Sequence, residues 1–253
     1  MHHPDWLAPD WQLPGISAVM TTRAGGVSAA PYDSLNLRLA VGDDAGDVES
    51  NLQRVRAAIG AMPVYLNQVH GHRVVRLTAA DAQPGAAVHD ADASVTTEPG
   101  IACAVQVADC LPVLFAAQRG QAVGAAHAGW RGLASGVLEA TLHAVCEAAS
   151  CEPHEVSAWL GACIGPDRFE VGADVLQAFG AAPDSPRFRA HAAGKWLVDL
   201  PGLAIDRLRA AGVTDVSGGT WCTVSDPSRF FSYRRDRVTG RMAGIVWLER
   251  RLG

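Results

Sequence analysis

At 253 residues the chain can bury one large core, and its 49% apolar content is that of an ordinary globular protein, not a disordered or fibrous one. A formal net charge of -5, with arginines scattered singly apart from Arg234–Arg235 and Arg250–Arg251, offers no basic face to a polynucleotide. No apolar run approaches the roughly 18 residues of a membrane-spanning helix. Met1-His2-His3-Pro4-Asp5 lacks the basic and apolar regions of a signal peptide, so the expectation is a cytoplasmic protein with no membrane partner.

In chain order, Asp47 is predicted to cap a helix over 48–59, with Val48, Leu52, Val55 and Ile59 on one face and Gly60 as its stop. Ser135 is predicted to cap a second helix running to about Ala149, buried through Leu138, Leu142, Val145 and Ala149. Asp199 opens a third, with Pro201 in its first turn and Gly212 closing it. Short apolar runs at 64–66, 74–77, 101–107, 112–116, 122–126, 156–160 and 245–248 have strand character. The Ala-, Pro- and Ser-rich segment 181–193 reads as an exposed excursion. Strands and helices alternate without βαβ regularity, which predicts an α+β domain of mixed sheets flanked by helices, spanning 1–253 as one unit. Nothing in the pattern calls for an obligate oligomer, and the expectation is a monomer.

The six cysteines show neither a CxxC pair nor dense spacing, which excludes a disulfide framework or a zinc ribbon. Most are expected to be small buried hydrophobes. Cys110 stands apart because of its setting. Three segments share one design, an apolar run ending in a ligand-type side chain and followed at once by a turn: Asn67-Gln68-Val69-His70-Gly71, Val107-Ala108-Asp109-Cys110-Leu111-Pro112, and Ala126-His127-Ala128-Gly129-Trp130-Arg131-Gly132. Two imidazoles and a thiolate are a borderline-soft set that suits zinc. A catalytic zinc keeps three protein ligands, leaving one position for a water whose pKa falls to about 7. Asp109 and Arg131 flank the trio as a candidate proton acceptor and anion anchor. Cys110 as a plain buried thiol stays open at this level. So does His72 as a rival ligand, since His70-Gly71-His72 on a strand would put both imidazoles on one side. His70 is preferred because His72 would start the next strand and face solvent. The remaining histidines, His2, His3, His89, His143, His154 and His191, read as surface or satisfied core groups.

Two further clusters carry binding chemistry. Arg23, followed by Ala24-Gly25-Gly26, joins a guanidinium to a flexible backbone that can meet an anion such as phosphate, although Gly-Gly is also a plain turn signal. Phe230-Phe231-Ser232-Tyr233-Arg234-Arg235-Asp236, with Thr239-Gly240-Arg241, mixes aromatics that can stack on a base with arginines that can hold phosphate or ribose. Core packing beside a charged hairpin explains the same residues.

The strings Thr-Thr-Arg-Ala-Gly-Gly-Val-Ser, Asn-Gln-Val-His-Gly, Ala-Asp-Cys-Leu-Pro-Val, Ala-His-Ala-Gly-Trp-Arg-Gly, Gly-Pro-Asp-Arg-Phe-Glu-Val-Gly and Phe-Ser-Tyr-Arg-Arg-Asp follow in order along the chain. Over roughly residues 15–250 the sequence thereby resembles the YfiH-like family. That family is variously labelled laccase-domain, multicopper polyphenol oxidase, peptidoglycan editing factor and purine nucleoside phosphorylase. The resemblance implies a four-layer αββα sandwich of mixed β-sheets, shared distantly with a cysteine-dependent toxin deamidase, and a zinc held by His70, Cys110 and His127. One departure is visible: many relatives carry Cys-Cys where this chain has Asp167-Arg168 before Phe169, a change expected to alter a loop and leave the ligand motifs intact.

The residues arbitrate among the labels. A multicopper oxidase needs about ten histidines, largely in His-x-His pairs, with a His-flanked Cys. This chain has nine His, a single His-x-His and no His beside a Cys, so copper enters only as a tighter-binding adventitious ion, with weak copper-dependent polyphenol oxidase activity as the alternative it leaves. Cleavage of adenosine, inosine or guanosine by phosphate, with hydrolytic deamination of adenosine, is what the resemblance implies instead. Cys110, His127, His70 and Asp109 would then do chemistry on a small-molecule nucleoside, and Arg23, Arg131 and Arg241 would hold phosphate. Two readings compete: a metal-free hydrolase or amidase with Cys110 as nucleophile and His127 as base, acting on peptidoglycan precursors, and a structural zinc clip completed by Asp109 or His72.

Overall fold

The structure, a computed structural model, describes residues 3–182 and 184–250; Met1, His2, Pro183 and residues 251–253 lie outside the described residues. In the strand Ile101–Val107 all seven side chains are buried, which requires cover on both faces of its sheet. Ile101, Cys103, Val105 and Val107 point one way, into a core shared with Leu114, Ala116, Val123, Ala125 and Trp159 of a second sheet. Ala102 and Ala104 point the other way, towards Val55 and Ile59 of the helix Ala45–Ile59.

Two sheets result. The first has four strands in the order Ile16–Met20, Met242–Leu248, Ile101–Val107, Met62–Val64, antiparallel except for the last pair. The second has six in the order Asp215–Gly218, Val156–Leu160, Leu111–Ala117, Val123–Ala128, Ala93–Thr96, Val74–Arg76, parallel only at its two edges. The outer face of the second sheet packs Val113, Phe115 and Ala126 against Leu138, Leu142 and Val145 of the helix Val137–Ala149 and against Ala204 and Leu208 of the helix Leu200–Ala210. Helix, sheet, sheet and helix pair thus form the αββα sandwich. A small antiparallel sheet of Glu170–Val171, Lys195–Val198 and Phe188–Ala192 lies at the side.

The topology has one consequence for function. Ile101–Val107 and Leu111–Ala117 are consecutive but lie in different sheets, so Ala108-Asp109-Cys110 must cross between layers spaced about 10 Å apart. Asp109 takes a φ of 98° to make the crossing, a left-handed conformation costly for a residue with a Cβ.

Several local expectations shift. The first helix begins earlier, because Asp44, not Asp47, caps it: its carboxylate accepts the amides of Gly46 (2.8 Å) and Asp47 (3.0 Å). Ser135 ends the short helix Trp130–Ala134 instead of starting the next one, donating its amide to Arg131. Gly136, at φ 96°, makes the break that a continuous apolar stripe hides. Asp199 and Gly212 behave as expected, Asp199 Oδ1 accepting the Gly202 amide at 2.9 Å. The 64–66 run is a strand at Met62–Val64, and 181–193 contains the strand Phe188–Ala192 among exposed side chains. The strands Ile16–Met20, Ala93–Thr96 and Asp215–Gly218 were not expected; all three are short and hold Ser, Thr or Gly among their residues.

Candidate metal centre

His127 lies within the strand Val123–Ala128, where Val123 and Ala125 face the inter-sheet core and Ala126 and Ala128 the helices. The two-residue period turns His127 inward at the end of that core, and only 3% of it is exposed. Cys110 sits on the crossing link, and His70 on the loop after Met62–Val64, at φ 61°. His70 and Gly71 therefore form a turn instead of a strand end, while His72 is exposed and stays outside the cluster. One nitrogen of each imidazole and the Cys110 Sγ all lie within 4.8 Å of one another, and the two rings meet edge to face at 4.9 Å.

What holds the trio is a residue the sequence reading missed. Asp92, fully buried before the strand Ala93–Thr96, accepts His127 Nδ1 (2.8 Å) and the His70 amide (2.9 Å) on Oδ1. On Oδ2 it accepts the amides of Gly71 (2.7 Å) and Val69 (3.1 Å). One carboxylate thus orients the imidazole so that Nε2 faces Cys110, and pins the loop carrying the other histidine. Its only signal in sequence is an acidic residue opening a short buried strand. Gln68 ties the same loop to the first sheet, exchanging two 2.8 Å hydrogen bonds with the backbone of Gln106. The glycines of His-Ala-Gly-Trp-Arg-Gly are there for space. A Cβ on Gly129 would lie 3.0 Å from Cys110 Sγ and 3.2 Å from His70, and one on Gly132 would lie 2.8 Å from the Gly71 carbonyl oxygen.

Electrostatics follows from this packing. Burial, the largest single influence on Cys110, pushes its thiol up, but the charge of His127 and hydrogen bonds from His127 and His70 together bring it down to about 6. Burial also opposes charge on His127, yet the Cys110 thiolate and the Asp92 carboxylate carry it up to about 9. Without a cation the pair is therefore thiolate and imidazolium. For Asp92 the desolvation cost is outweighed by His127 and the amides of Gly71 and His70, holding it below the usual carboxylate range. The donor set fits zinc: bond lengths of about 2.0–2.1 Å to nitrogen and 2.3 Å to sulfur call for ligand separations near 3.5 Å, within reach of small side-chain rotations.

Two cavities border the trio and share Ala108, His70, Cys110 and Tyr233 as their common wall. One, of about 380 Å³, is also lined by Arg38, Gln68, Gln106, His127 and Arg241. The other, of about 260 Å³, is lined by Asp109, Trp130, Arg131, Ile164, Phe169, Leu200 and Arg234. Asp109 also holds the wall: Oδ1 accepts the Thr223 hydroxyl and Oδ2 the Arg234 amide, both at 2.6 Å. Arg131 lies over the Trp130 ring at 4.3 Å. Arg241 donates to the carbonyls of Thr239 (2.9 Å) and Gly240 (3.0 Å). Arg23 lines neither cavity. It pairs with Asp33 (3.1 Å), donates to the carbonyls of Asp33 and Pro227 at 2.8 Å, and stacks on Phe231, which ties its loop to the 227–231 segment.

The family described as multi-copper polyphenol oxidoreductase laccase matches residues 17–249. The chain belongs to this family. Within it, the laccase-domain chain is 48% identical over 248 residues to a protein of Pseudomonas aeruginosa named purine nucleoside phosphorylase, covering 96% of this chain and 98% of that one. It is also 48% identical over 247 residues to Escherichia coli purine nucleoside phosphorylase YfiH, with the same coverage. A crystal structure of a Neisseria meningitidis protein, 47% identical, superposes with a TM-score of 0.90 over 97% of the laccase-domain chain and 100% of its own. None of the described helices is long and apolar enough to cross a membrane.

Proposed function

We propose that the protein is a zinc-dependent purine nucleoside phosphorylase, converting adenosine, inosine or guanosine and phosphate to free base and ribose 1-phosphate, with hydrolytic deamination of adenosine as a companion activity. The observation that carries this reading is the His70–Cys110–His127 cluster bordered by two cavities, in a chain whose relatives bear that enzyme's name over nearly their whole length. In the reaction a phosphate oxygen bonds to ribose C1′ as the C1′–N9 bond breaks. Its electron pair leaves on the purine, which takes up the proton that hydrogen phosphate gives up. His70, Cys110 and His127 would hold the ion, which when bound supplies Lewis acidity at an open coordination position. Asp92 fixes the tautomer of His127, and Arg241 and Arg131 face the cavities as cationic groups. Among the described residues the trio is the one cluster of this kind, which favours a single-ion site over the several centres of a multicopper oxidase.

Mass spectrometry of nucleosides incubated with the purified protein, with and without phosphate, tests this. Phosphate-dependent formation of base and ribose 1-phosphate, lost in Cys110→Ala, is expected; undiminished turnover by that variant defeats the metal-site assignment.

A second reading has its own support. Cys110, His127 and Asp92 stand as thiolate, imidazolium and orienting carboxylate, the arrangement of a cysteine hydrolase. Elemental analysis of protein purified without added metal separates the two. Stoichiometric zinc favours the phosphorylase, and full activity in metal-free protein favours the hydrolase.

A further inference from the structure

The two cavities that share the trio differ sharply in chemistry. The first has two guanidiniums, Arg38 and Arg241, and no carboxylate among its lining residues. Among the described residues neither arginine is in an ion pair; Arg38 reaches only the Gln106 Oε1, at 3.4 Å. Burial and then the neighbouring Arg38 charge lower the pKa of Arg241, more than the charges of Cys110, Asp109 and Tyr233 restore it. The second cavity is a slot of flat and branched apolar groups, Trp130, Phe169, Tyr233, Ile164 and Leu200. Its two arginines lie on aromatic rings, Arg131 on Trp130 at 4.3 Å and Arg234 near Phe169 at 5.6 Å, as Arg241 of the first cavity lies near Tyr233 at 5.9 Å; what sets the second cavity apart is its apolar wall and the Asp109 carboxylate in its lining. A doubly charged oxyanion is disfavoured there by that carboxylate and by the loss of water against apolar walls. A heterocycle suits it, since a flat ring gains by stacking on aromatic faces.

We infer that the site sorts its two substrates between these cavities: the phosphate oxyanion is held by Arg38 and Arg241, and the purine lies in the Trp130–Phe169–Tyr233 slot. This rests on the phosphorolysis reading. The ribose then spans the shared wall, and C1′ comes beside His70 and Cys110 with phosphate and base on opposite sides. That is the arrangement an in-line displacement needs. Arg38 becomes an anion anchor that no motif pointed to, and Arg131 is assigned to the base side, not to phosphate.

The test is steady-state phosphorolysis of inosine with phosphate and nucleoside varied separately, beside calorimetric titration of inorganic phosphate into the same proteins. Arg38→Gln and Arg241→Gln should each raise the phosphate KM about tenfold or more, the effect of losing one charge-assisted contact, with the inosine KM moving less than twofold. Phe169→Ala and Trp130→Leu should do the reverse. The Arg38 guanidinium meets only Gln106, so its variant keeps the test open if the Arg241 variant, which gives up two carbonyl partners, does not fold. A phosphate KM that shifts in Arg131→Gln but not in Arg38→Gln overturns the assignment. Calorimetry distinguishes its failure from that of the phosphorylase reading. Arg38-dependent phosphate binding without phosphorolysis removes the activity and keeps the anion site. Phosphorolysis with an unshifted phosphate KM in both arginine variants removes the anion site and keeps the activity. Absence of both removes both.

Discussion

Replacing Asp92 by Asn tests the idea that one buried carboxylate holds two metal ligands at once. The substitution keeps shape and volume but leaves a single acceptor oxygen. Oδ1 now serves His127 Nδ1 and the His70 amide, and Oδ2 serves the amides of Gly71 and Val69. Whichever way the amide is turned, its NH2 faces two donors, so two of four hydrogen bonds are lost. A hydrogen bond to a charged group contributes about 1.5–3 kcal/mol. Two lost bonds, discounted because Val69 and His70 are exposed, give about 3 kcal/mol. For a chain of this size that lowers Tm by roughly 6–12 °C. Zinc affinity should fall about 10–100-fold as the His127 tautomer is freed. Thermal unfolding and competition against a chromophoric chelator read the two effects. An Asp92→Asn variant with wild-type Tm and unchanged zinc affinity would refute the reasoning.

The remaining predictions concern the same neighbourhood. In chelator-treated protein, iodoacetamide alkylation of Cys110, read by difference against Cys110→Ala, should titrate with a midpoint near 6, and His127→Gln should move it towards the ordinary thiol value. The stability that goes with the lowered Cys110 pKa is full above its unfolded value of about 8.5 and lost as pH falls through about 6; that from the raised His127 pKa is full below about 6.5 and lost as pH rises through about 9. Metal-free protein should therefore unfold more easily below 6 and above 9, as denaturant midpoints across pH will register. Gly129→Ala pushes a methyl to 3.0 Å from Cys110 Sγ and should cost most of the bound zinc while leaving circular dichroism unchanged. Asn51, fully buried, places Nδ2 within 2.9–3.1 Å of Ser28 Oγ and the carbonyls of Ser34 and Asn36, and accepts the Val27 amide. Asn51→Leu should cost about 2–4 kcal/mol in urea unfolding by stranding those groups.

How far the site could be read from the chain depended on where each interaction lies. His70, Cys110 and His127 are legible because each ends an apolar run at a turn, a local pattern. Asp92 is not, because its four donors come from 69–71 and 127, and no spacing within 90–94 records them. The partners of Arg23 are hidden for the same reason: its Gly-Gly neighbours suggest a flexible loop, and the chain does not record that it meets Asp33 and, more than 200 residues away, Pro227. The helices at 45–59 and 200–210 were anticipated because caps and apolar periodicity are local. The strand Ala93–Thr96 was not, since a strand covered on both sides by sheet and helix needs no alternation of its own.

By itself, then, the amino-acid sequence determined the donor types, their order, most helices and the longest strands, and, through its motifs, the family. Tertiary structure alone decided that a link crossing between two sheets brings Cys110 to two distant histidines, that Asp92 locks them, and that two chemically unlike cavities meet at their wall. The physical reason is range. Propensity and periodicity act over a few residues, whereas the charges, contacts and desolvation that make this site join segments separated by up to 203 positions, from Arg241 back to Arg38.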